Sequence, residues 1–197
     1  MTEAARIQAI LAGHTEEYAY FLDRYADAIH RMVAGIVDCA EDAEEVTQDA
    51  FIRAYEKLPT FRGDCQFSTW LYRIAYRLAL RCARKPRREL LFDGEEALDA
   101  LGDEVSLPVD SMAEADDDQV ERLREAIGHL RPEERTLLLL AYDEERPTSE
   151  LAAIMSLSEG NIRTRLSRLR KKLFLLLSHE PENPRTPATS PQTRPGA

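Results

Sequence analysis

The sequence predicts an all-α protein of two small helical domains that are joined by a flexible acidic linker. Apolar residues recur at steps of three and four along most of the chain, and no convincing strand pattern is present. Residues 87–118 break this periodicity with glycines, a proline and many acidic residues, as a linker does. We therefore expect domains at 1–86 and 119–178, and a disordered tail rich in Pro, Thr and Ser at 179–197.

Four helices are predicted in the first domain. With their expected limits they are Glu3 to Leu11, Thr15 (N-cap) to about Val37, Asp42 to Lys57, and Ser68 (N-cap) to Lys85. Pro59 and Pro86 follow the third and the fourth helix, where a helix cannot continue. The residues of the second and third helices that we expect to face the core are Tyr18, Phe21, Leu22, Tyr25, Ile29, Met32, Val33, Ile36, Val46, Ala50, Ile52 and Tyr55.

Four more helices are predicted in the second domain. Their expected limits are about Gln119 to His129, Pro132 to beyond Leu140, Thr148 (N-cap) to Met155, and Glu159 to about Leu177. The second of them has a strong start signal, because Pro132 stands at the first helical position and two glutamates follow in the first turn. A tight turn, Ser156-Leu157-Ser158, separates the last two.

Charge is distributed unevenly along the chain, whose formal net charge is −10. Residues 59–88 carry 8 basic residues and 1 acidic residue, and residues 159–172 carry 6 and 1. By contrast, residues 89–118 carry 12 acidic residues and no basic one, and residues 1–58 have a net charge of −7. Two basic segments within an acidic chain favour two separate contacts with a polyanion.

The last two helices and their three-residue turn have the layout of a helix-turn-helix. The side chains expected to form its shared core are Leu151, Ile154, Leu157, Ile162, Leu166, Leu169 and Leu173. The other faces of the last helix are basic and fit the DNA major groove, where an arginine at position 163 discriminates guanine by about 1–3 kcal/mol. The groups predicted to contact DNA are Arg163, Thr164 and Ser167 for bases, Arg168, Lys171 and Lys172 for phosphates, and the backbone amides of Gly160 and Asn161 for a phosphate. The alternative is a solvated basic helix with no ligand.

The segment from Phe61 to Arg88 mixes aromatic residues with arginines. Five aromatics, Phe61, Phe67, Trp70, Tyr72 and Tyr76, lie within 16 residues. Along the helix, Arg73, Arg77, Arg81 and Arg84 recur at steps of four, four and three, which predicts one basic stripe. Stacking on an aromatic ring contributes about 1–3 kcal/mol per base, so a basic stripe beside a glycine-containing loop favours single-stranded DNA and a flipped base. For the rings at positions 61 and 70, the alternative is an ordinary place in the core.

Other function classes have little support. No run of about 18 apolar residues is available for a membrane span, and the first residues lack the layout of a secretory signal, so we expect the cytoplasm. The cysteines at 39, 65 and 82 are predicted to be reduced thiols without a metal, with a redox role for Cys65 as the alternative. The four histidines have no nucleophile or metal partner at a useful spacing, so we expect neither an enzyme nor a cofactor.

Four segments resemble motifs of the sigma-70 family of RNA polymerase sigma factors, and in particular its extracytoplasmic-function group. Residues 42–55, DAEEVTQDAFIRAY, resemble region 2.1–2.2, and residues 61–75, FRGDCQFSTWLYRIA, resemble the signature FRGD…F.TWLYRIA of that group. Residues 130–135, LRPEER, resemble the start of region 4, and residues 159–170, EGNIRTRLSRLR, resemble its recognition helix. The resemblance covers roughly residues 15–85 and 119–177, in the order and spacing of the family.

The resemblance implies a promoter-specificity subunit of bacterial RNA polymerase. The first domain would bind and help to melt the −10 element, with the loop of Phe61, Arg62, Gly63, Asp64 and Phe67 holding a flipped base near Trp70. The second domain would read the −35 duplex through Arg163, Thr164, Ser167 and Arg168. Gln48, Asp49 and Arg53 match the segment that docks on the clamp helices of the largest polymerase subunit. The family also implies contact with the flap of the second subunit, a linker that threads toward the RNA exit, and an anti-sigma factor as partner.

The sequence departs from the family pattern at four places. Arg77 stands where many relatives have Asn in the base pocket, and Asn161 stands where Thr is usual. Ser156 occupies a turn position where Gly or a similar small residue is common, and Arg146-Pro147-Thr148 replaces Gly-Leu-Ser before the helix-turn-helix. We expect the first two to tune promoter choice and the last two to be structural.

Two alternative functions stay open. A sigma-like decoy would bind a regulator but no promoter, and it would lack the basic and aromatic residues that both segments retain. A stand-alone helix-turn-helix repressor would leave residues 59–88 without a role and would need dimer symmetry, of which the sequence gives no sign.

Overall fold

The computed structural model describes residues 1–37, 39–83 and 117–178, and every regular element within these ranges is helical. The all-α fold class is therefore confirmed. The predicted linker lies outside the described residues up to residue 116, and so does the tail from residue 179 onward. None of the described helices is long and apolar enough to cross a membrane.

The first domain contains four α-helices and two short 3₁₀ turns. In chain order these are α1 (Glu3–Leu11), a 3₁₀ turn (Thr15–Tyr18), α2 (Ala19–Ala34), α3 (Ala40–Lys57), a second 3₁₀ turn (Leu58–Thr60) and α4 (Phe67–Ala83). Two predicted N-caps are wrong. Thr15 is the first residue of a 3₁₀ turn, and Ser68 is buried inside α4, which begins one residue earlier.

The core of the first domain lies where α2, α3 and α4 pack together. Phe21, Ile29 and Leu71 are fully buried there. Three residues predicted to face inward are instead exposed: Leu22 by 40%, Ile52 by 56% and Tyr55 by 39%. The reason is local, because Phe21, Phe51 and Ala54 take the inward direction and the residue that follows each of them must point elsewhere.

The second domain also contains four α-helices. They are α5 (Asp117–Gly128), α6 (Pro132–Leu138), which a wider π-type turn extends over Leu139–Asp143, α7 (Thr148–Met155) and α8 (Glu159–Ser178). As predicted, α6 starts at Pro132, and the Glu134 carboxylate accepts a hydrogen bond of 2.8 Å from the Arg131 amide. Thr148 is the first residue of α7 and not its N-cap, which is Pro147.

The helix-turn-helix closes through a left-handed turn residue. Ser156 has φ 60° and ψ 44°, and the Leu157 amide donates to the Ala152 carbonyl at 3.0 Å. Ser158 then caps α8, since its hydroxyl accepts from the Asn161 amide at 3.3 Å. The prediction that Lys172 contacts phosphate is wrong in this structure, because Lys172 is buried and its Nζ lies 2.9 Å from a Glu134 carboxylate oxygen. This ion pair joins α8 to α6.

The two domains pack against each other in the structure, a contact that the sequence did not predict. Helix α7 lies on α4, and one continuous apolar cluster includes Leu71 of the first domain together with Leu151, Ile154 and Ile162 of the second. A smaller cluster joins α5 to the second half of α8 through Ala126, Leu130, Leu169 and Leu173.

Replacing Phe21 with Ala should lower the free energy of unfolding of the first domain by about 3–5 kcal/mol, because it removes a fully buried ring and leaves a cavity. Its ring centroid lies 4.2 Å from that of Phe67. Urea unfolding followed by the fluorescence of Trp70, the single tryptophan, measures the loss. The neighbouring exposed variant Leu22→Ala should stay within about 0.5 kcal/mol of wild type. Equal losses for the two would contradict this core.

Candidate nucleic-acid and polymerase interfaces

The loop before α4 presents its tip to solvent. Arg62, Gly63 and Asp64 are exposed, and Phe61 and Cys65 are partly buried. Gly63 has φ +78° with no atom within 4 Å of the position a Cβ would take. Left-handed backbone favours glycine, so the conformation of the tip depends on this residue while the space around it stays open.

Aromatic rings at both ends of this loop pack together in the first domain. The ring of Phe61 lies 5.2 Å from that of Trp70 and 5.9 Å from that of Phe67, measured between centroids. Phe67 is 3% exposed and Trp70 is 9% exposed. In this arrangement the Phe67 ring has no free face for a base, so it supports the loop from below. The Phe61 ring is only partly buried, and Phe61 directly precedes the exposed loop tip in the chain.

The basic stripe predicted on α4 is divided among three surroundings. Arg73 is partly buried, whereas Arg77 is exposed and donates a hydrogen bond of 3.0 Å to the Ser156 hydroxyl of the second domain. Arg81 is exposed and lines a groove between α3 and α4. Arg84 lies outside the described residues.

The groove between α3 and α4 contains two of the three residues predicted to bind polymerase. It is lined by Asp42, Glu45, Val46, Asp49, Arg53, Leu78, Arg81 and Cys82. Gln48, the third predicted residue, is exposed on α3. Exposed apolar side chains of α3, Ile52 and Tyr55, add to this helix's solvent-facing surface. Charged and apolar groups at one open groove suit a protein partner.

Helix α8 presents a polar face at its N-terminal half. Gly160, Asn161, Arg163, Thr164 and Arg168 are exposed, and Ser167 is partly buried. The opposite face is fixed in the domain, since Ile162, Leu169 and Leu173 are buried. Arg163 donates to Glu159 at 3.0 Å, and Arg165 Nε donates to Asn161 Oδ1 at 2.8 Å. These pairs hold two arginines along the helix surface.

A polar network lies where α7 meets α4. The Tyr72 hydroxyl donates to Glu144 Oε1 at 2.7 Å, and the Thr69 hydroxyl donates to Glu150 Oε2 at 3.1 Å. Arg146 joins both carboxylates, with distances of 2.8 Å from Nε to Glu144 and from Nη1 to Glu150. Its guanidinium carbon also lies 3.9 Å from the centroid of the Tyr72 ring. We call these five residues the interdomain network.

Burial at this contact changes the ionisation of two tyrosines on α4. Removal from water, followed in size by the hydrogen bond to Glu144, raises the pKa of Tyr72 well above its ordinary value. Burial likewise raises the pKa of Tyr76 to about 12, with a further increase from the negative charge of Glu133. Both side chains are therefore neutral hydrogen-bonding groups at physiological pH.

The sequence does not predict the interdomain network, because its residues lie in two distant segments of the chain. A partial signal exists, since Arg146 and Glu150 stand four residues apart at the start of a helix and such pairs interact. Nothing in that spacing identifies Tyr72 as their neighbour. Within the described residues, no group of three His, Cys, Asp or Glu side chains is placed to hold a metal ion.

Two family models match the chain. Residues 21–89 match Sigma-70 region 2, and residues 120–173 match Sigma-70, region 4. The first match includes most of α2 with α3 and α4, and the second includes most of α5 and α8 with α6 and α7.

Curated sigma factors are similar to the chain in sequence over most of its length. The chain is 30% identical over 175 residues to the ECF RNA polymerase sigma factor SigW of Bacillus subtilis, with 85% of this chain and 92% of SigW covered. It is 28% identical over 180 residues to the ECF RNA polymerase sigma-E factor of Escherichia coli, covering 88% and 93%.

Two solved structures share the fold. CnrH in complex with the cytosolic domain of CnrY has a TM-score of 0.63 at 21% identity, covering 88% of this chain and 95% of CnrH. The sigma factor RpoE in complex with the anti-sigma factor NepR from Bartonella quintana has a TM-score of 0.59 at 22% identity, covering 82% and 97%. With the matched regions 2 and 4 and the similarity to SigW, the chain belongs to the extracytoplasmic-function group of the sigma-70 family, RNA polymerase sigma factors that act in transcription initiation and are not enzymes.

Proposed function

We propose that α8 reads the −35 element as duplex DNA while the loop before α4, with α4 itself, holds unpaired bases of the −10 element. The observation that carries this proposal is the asymmetry of α8, whose N-terminal half exposes Asn161, Arg163 and Thr164 while Ile162 and Leu169 anchor its other face. A helix fixed in this way inserts into the major groove as a rigid body. The domains at 1–86 and 119–178 keep these two tasks apart.

Arg163 is available to a base although it has a partner in the free chain. Its pair with Glu159 is solvent-exposed on both sides, with side-chain exposures of 68% and 49%. Exposed helical pairs of this kind contribute about 0.3–0.5 kcal/mol. A bidentate contact with guanine contributes about 1–3 kcal/mol of discrimination, so the base contact wins and Glu159 is released.

The −10 element is assigned to the first domain because its loop tip is open. Arg62 and Asp64 flank Gly63 at this tip, and the rings of Phe61 and Trp70 lie at its base. A flipped base placed there finds backbone and polar groups at the tip and aromatic surface beneath. Arg73 and Arg77 follow on α4 as phosphate contacts, and Phe67 acts by supporting the loop.

Core polymerase is assigned to the α3–α4 groove, and an anti-sigma factor to the surfaces of both domains. Asp49 and Arg53 present opposite charges in the groove, with Gln48 beside them on α3, which suits docking on the clamp helices of the largest subunit. Arg81 lies in the same groove, so its contribution is to polymerase rather than to DNA. The second domain would contact the flap of the second subunit. This work takes place in the cytoplasm. Of the two solved structures that share the fold, RpoE is in complex with the anti-sigma factor NepR, and CnrH is in complex with the cytosolic domain of CnrY.

Replacing Arg163 with Ala should reduce promoter-specific initiation by about fivefold to about 100-fold, since the lost discrimination is about 1–3 kcal/mol and a tenfold effect corresponds to about 1.4 kcal/mol. Transcription reconstituted with core polymerase on a promoter selected by this chain measures the effect. Arg124→Ala is a matched control, because Arg124 is also an exposed arginine paired with a glutamate on its own helix. Unchanged initiation with Arg163→Ala, or the same loss with the control, would contradict the assignment and favour a decoy that binds no promoter.

Replacing Gly63 with Ala should slow promoter opening several-fold and leave polymerase recruitment intact, because a Cβ at φ +78° strains the loop by about 1–2 kcal/mol. Permanganate reactivity of unpaired thymines measures opening, and a gel-shift assay measures recruitment. Gly128→Ala is the control, since Gly128 has open space around it and no positive φ. A parallel loss of recruitment would argue against a separate role for the loop.

Replacing Asp49 with Ala should weaken the affinity for core polymerase about tenfold, because a charge in the groove loses its partner across the interface. A competition assay between labelled and unlabelled chains for core enzyme measures it. Glu44→Ala is the control, since residue 44 lies about 140° around α3 from residue 49. Equal affinities for the two variants would remove the groove from the polymerase interface.

A further inference from the structure

We propose that α1 fixes the shape of the loop before α4, with Glu3 and Tyr25 as positioning residues for the opening of promoter DNA. The two residues act through the Phe67 ring at the end of this loop rather than by contact with DNA. This inference rests on the proposed function of the loop in holding unpaired bases. Glu3 precedes residue 21, where the match to Sigma-70 region 2 begins, so the proposal gives a role to a helix outside the matched region.

A short hydrogen bond links α1 to α2. The Tyr25 hydroxyl donates to Glu3 Oε1 at 2.5 Å, and Arg24 Nε donates to the Tyr25 hydroxyl at 3.2 Å. A hydroxyl that donates to a carboxylate forms one of the stronger hydrogen bonds found in proteins. Burial, followed in size by this hydrogen bond, raises the pKa of Tyr25. Its side chain is therefore a neutral donor at physiological pH.

The Tyr25 ring depends on this bond because packing alone does not fix it. The ring is only partly buried, and side chains with an exposed side change rotamer readily. When the hydroxyl is held by a carboxylate, the ring cannot turn without breaking a charge-assisted bond. Glu3 is itself well placed to hold it, since it stands in the first turn of α1, which Thr2 caps and the buried Ile7 and Ile10 anchor.

Tyr25 is connected to the loop through Phe67. The centroids of the two rings lie 6.4 Å apart, within the range of about 4.5–7 Å over which aromatic pairs attract each other. Phe67 also contacts Phe61 and Trp70, at 5.9 and 5.8 Å between centroids. Because Phe67 is 3% exposed, it has little free space in which to absorb a shift of its neighbour. A movement of Tyr25 therefore reaches Phe61, at the start of the loop, through one intermediate ring.

The start of the loop is held by α1 as well. Helix α1 packs against the 3₁₀ turn Leu58–Thr60. At the end of this turn the Phe61 amide donates to the carbonyl of Leu58 at 3.0 Å, and Leu58 is buried. One helix thus supports both ends of a loop whose tip is exposed. A loop that is fixed in this way loses less conformational entropy when it takes up a base.

The test measures promoter opening by permanganate reactivity with the full chain and core polymerase. Tyr25→Phe removes the hydroxyl and keeps the ring, and it should slow opening by about threefold to tenfold, a part of what one hydrogen bond to a charged group can contribute. Glu3→Ala should have the same effect, and recruitment in a gel-shift assay should stay at the wild-type level for both. Glu3→Gln keeps an oxygen that accepts from the Tyr25 hydroxyl, so it should restore most of the rate.

Three controls separate positioning from a general loss of stability. The double variant of Glu3→Ala and Tyr25→Phe should open no more slowly than either single variant, because both changes remove the same bond. Glu16→Ala should open as wild type, since Glu16 is an exposed acid of the same N-terminal segment whose ion-pair partner is the exposed His14. Ile29→Val removes a buried methylene group from α2 and lowers stability, yet it should leave the rate of opening unchanged.

A second measurement uses the free chain and needs no promoter. The fluorescence of Trp70, the single tryptophan, reports on the packing of the Phe67 ring beside it. Quenching of Trp70 by acrylamide should increase in Tyr25→Phe and in Glu3→Ala. It should stay at the wild-type level in Glu3→Gln and in Ile29→Val.

The variant Gly63→Ala, measured alongside, keeps this inference apart from the proposed function. Slower opening with Gly63→Ala but wild-type opening with Tyr25→Phe and Glu3→Ala would overturn the role of Glu3 and Tyr25 alone. Wild-type opening with all three variants would overturn the proposed function of the loop as well. If Ile29→Val slowed opening as much as Tyr25→Phe, or if quenching increased without slower opening, the positioning role would also be overturned.

Discussion

The structure depends on the close packing of α4, which contacts α2 and α3 on one side and α7 on another. Its fully buried positions Leu71, Ala75 and Ala79 recur at steps of four, and α3 offers Ala50 and Ala54, which are equally inaccessible. Alanines allow two helix axes to approach closely, and they leave the longer side chains of α4 to the remaining faces. A single helix thereby supports the loop that precedes it at its start, one wall of the α3–α4 groove near its end and the contact with the second domain between them.

Helical periodicity predicted the order and most limits of the elements, because amphipathic stripes and proline stops are local features of the chain. It predicted less well which apolar residues face inward. Leu22, Ile52 and Tyr55 fit the helical spacing but are exposed, since periodicity gives a face and not its neighbour. The basic run in which Lys172 stands predicts a phosphate contact, and only the fold brings Glu134 to this lysine. The spacing of residues along one helix does not predict contacts between distant segments of the chain.

The candidate site also has parts that the sequence predicts and parts that only the folded structure shows. The exposed face of α8 and the open loop tip follow from local pattern, so the residues assigned there were identified from sequence. The sequence did not predict the surroundings of the arginine stripe on α4. Each step of four residues advances by 40° around the helix, so successive arginines point in different directions. Arg77 reaches the second domain and Arg81 reaches the groove with Asp49. Arginines of one helix thus contact different parts of the protein, and only the tertiary structure shows which part each of them contacts.

The two sides of the interdomain network differ in charge. The charged members of the network, Glu144, Arg146 and Glu150, all belong to the second domain, so their ion pairs survive separation and gain water. Only neutral hydroxyls cross to them, from Thr69 and Tyr72, and each such hydrogen bond has a net value of about 1 kcal/mol once water replaces it. An ion pair divided between the domains would instead leave unpaired charges on both sides during separation. The ion pair between Arg31 and Asp143, 3.9 Å apart, does cross between the domains, but both side chains are more than half exposed, so water screens their attraction.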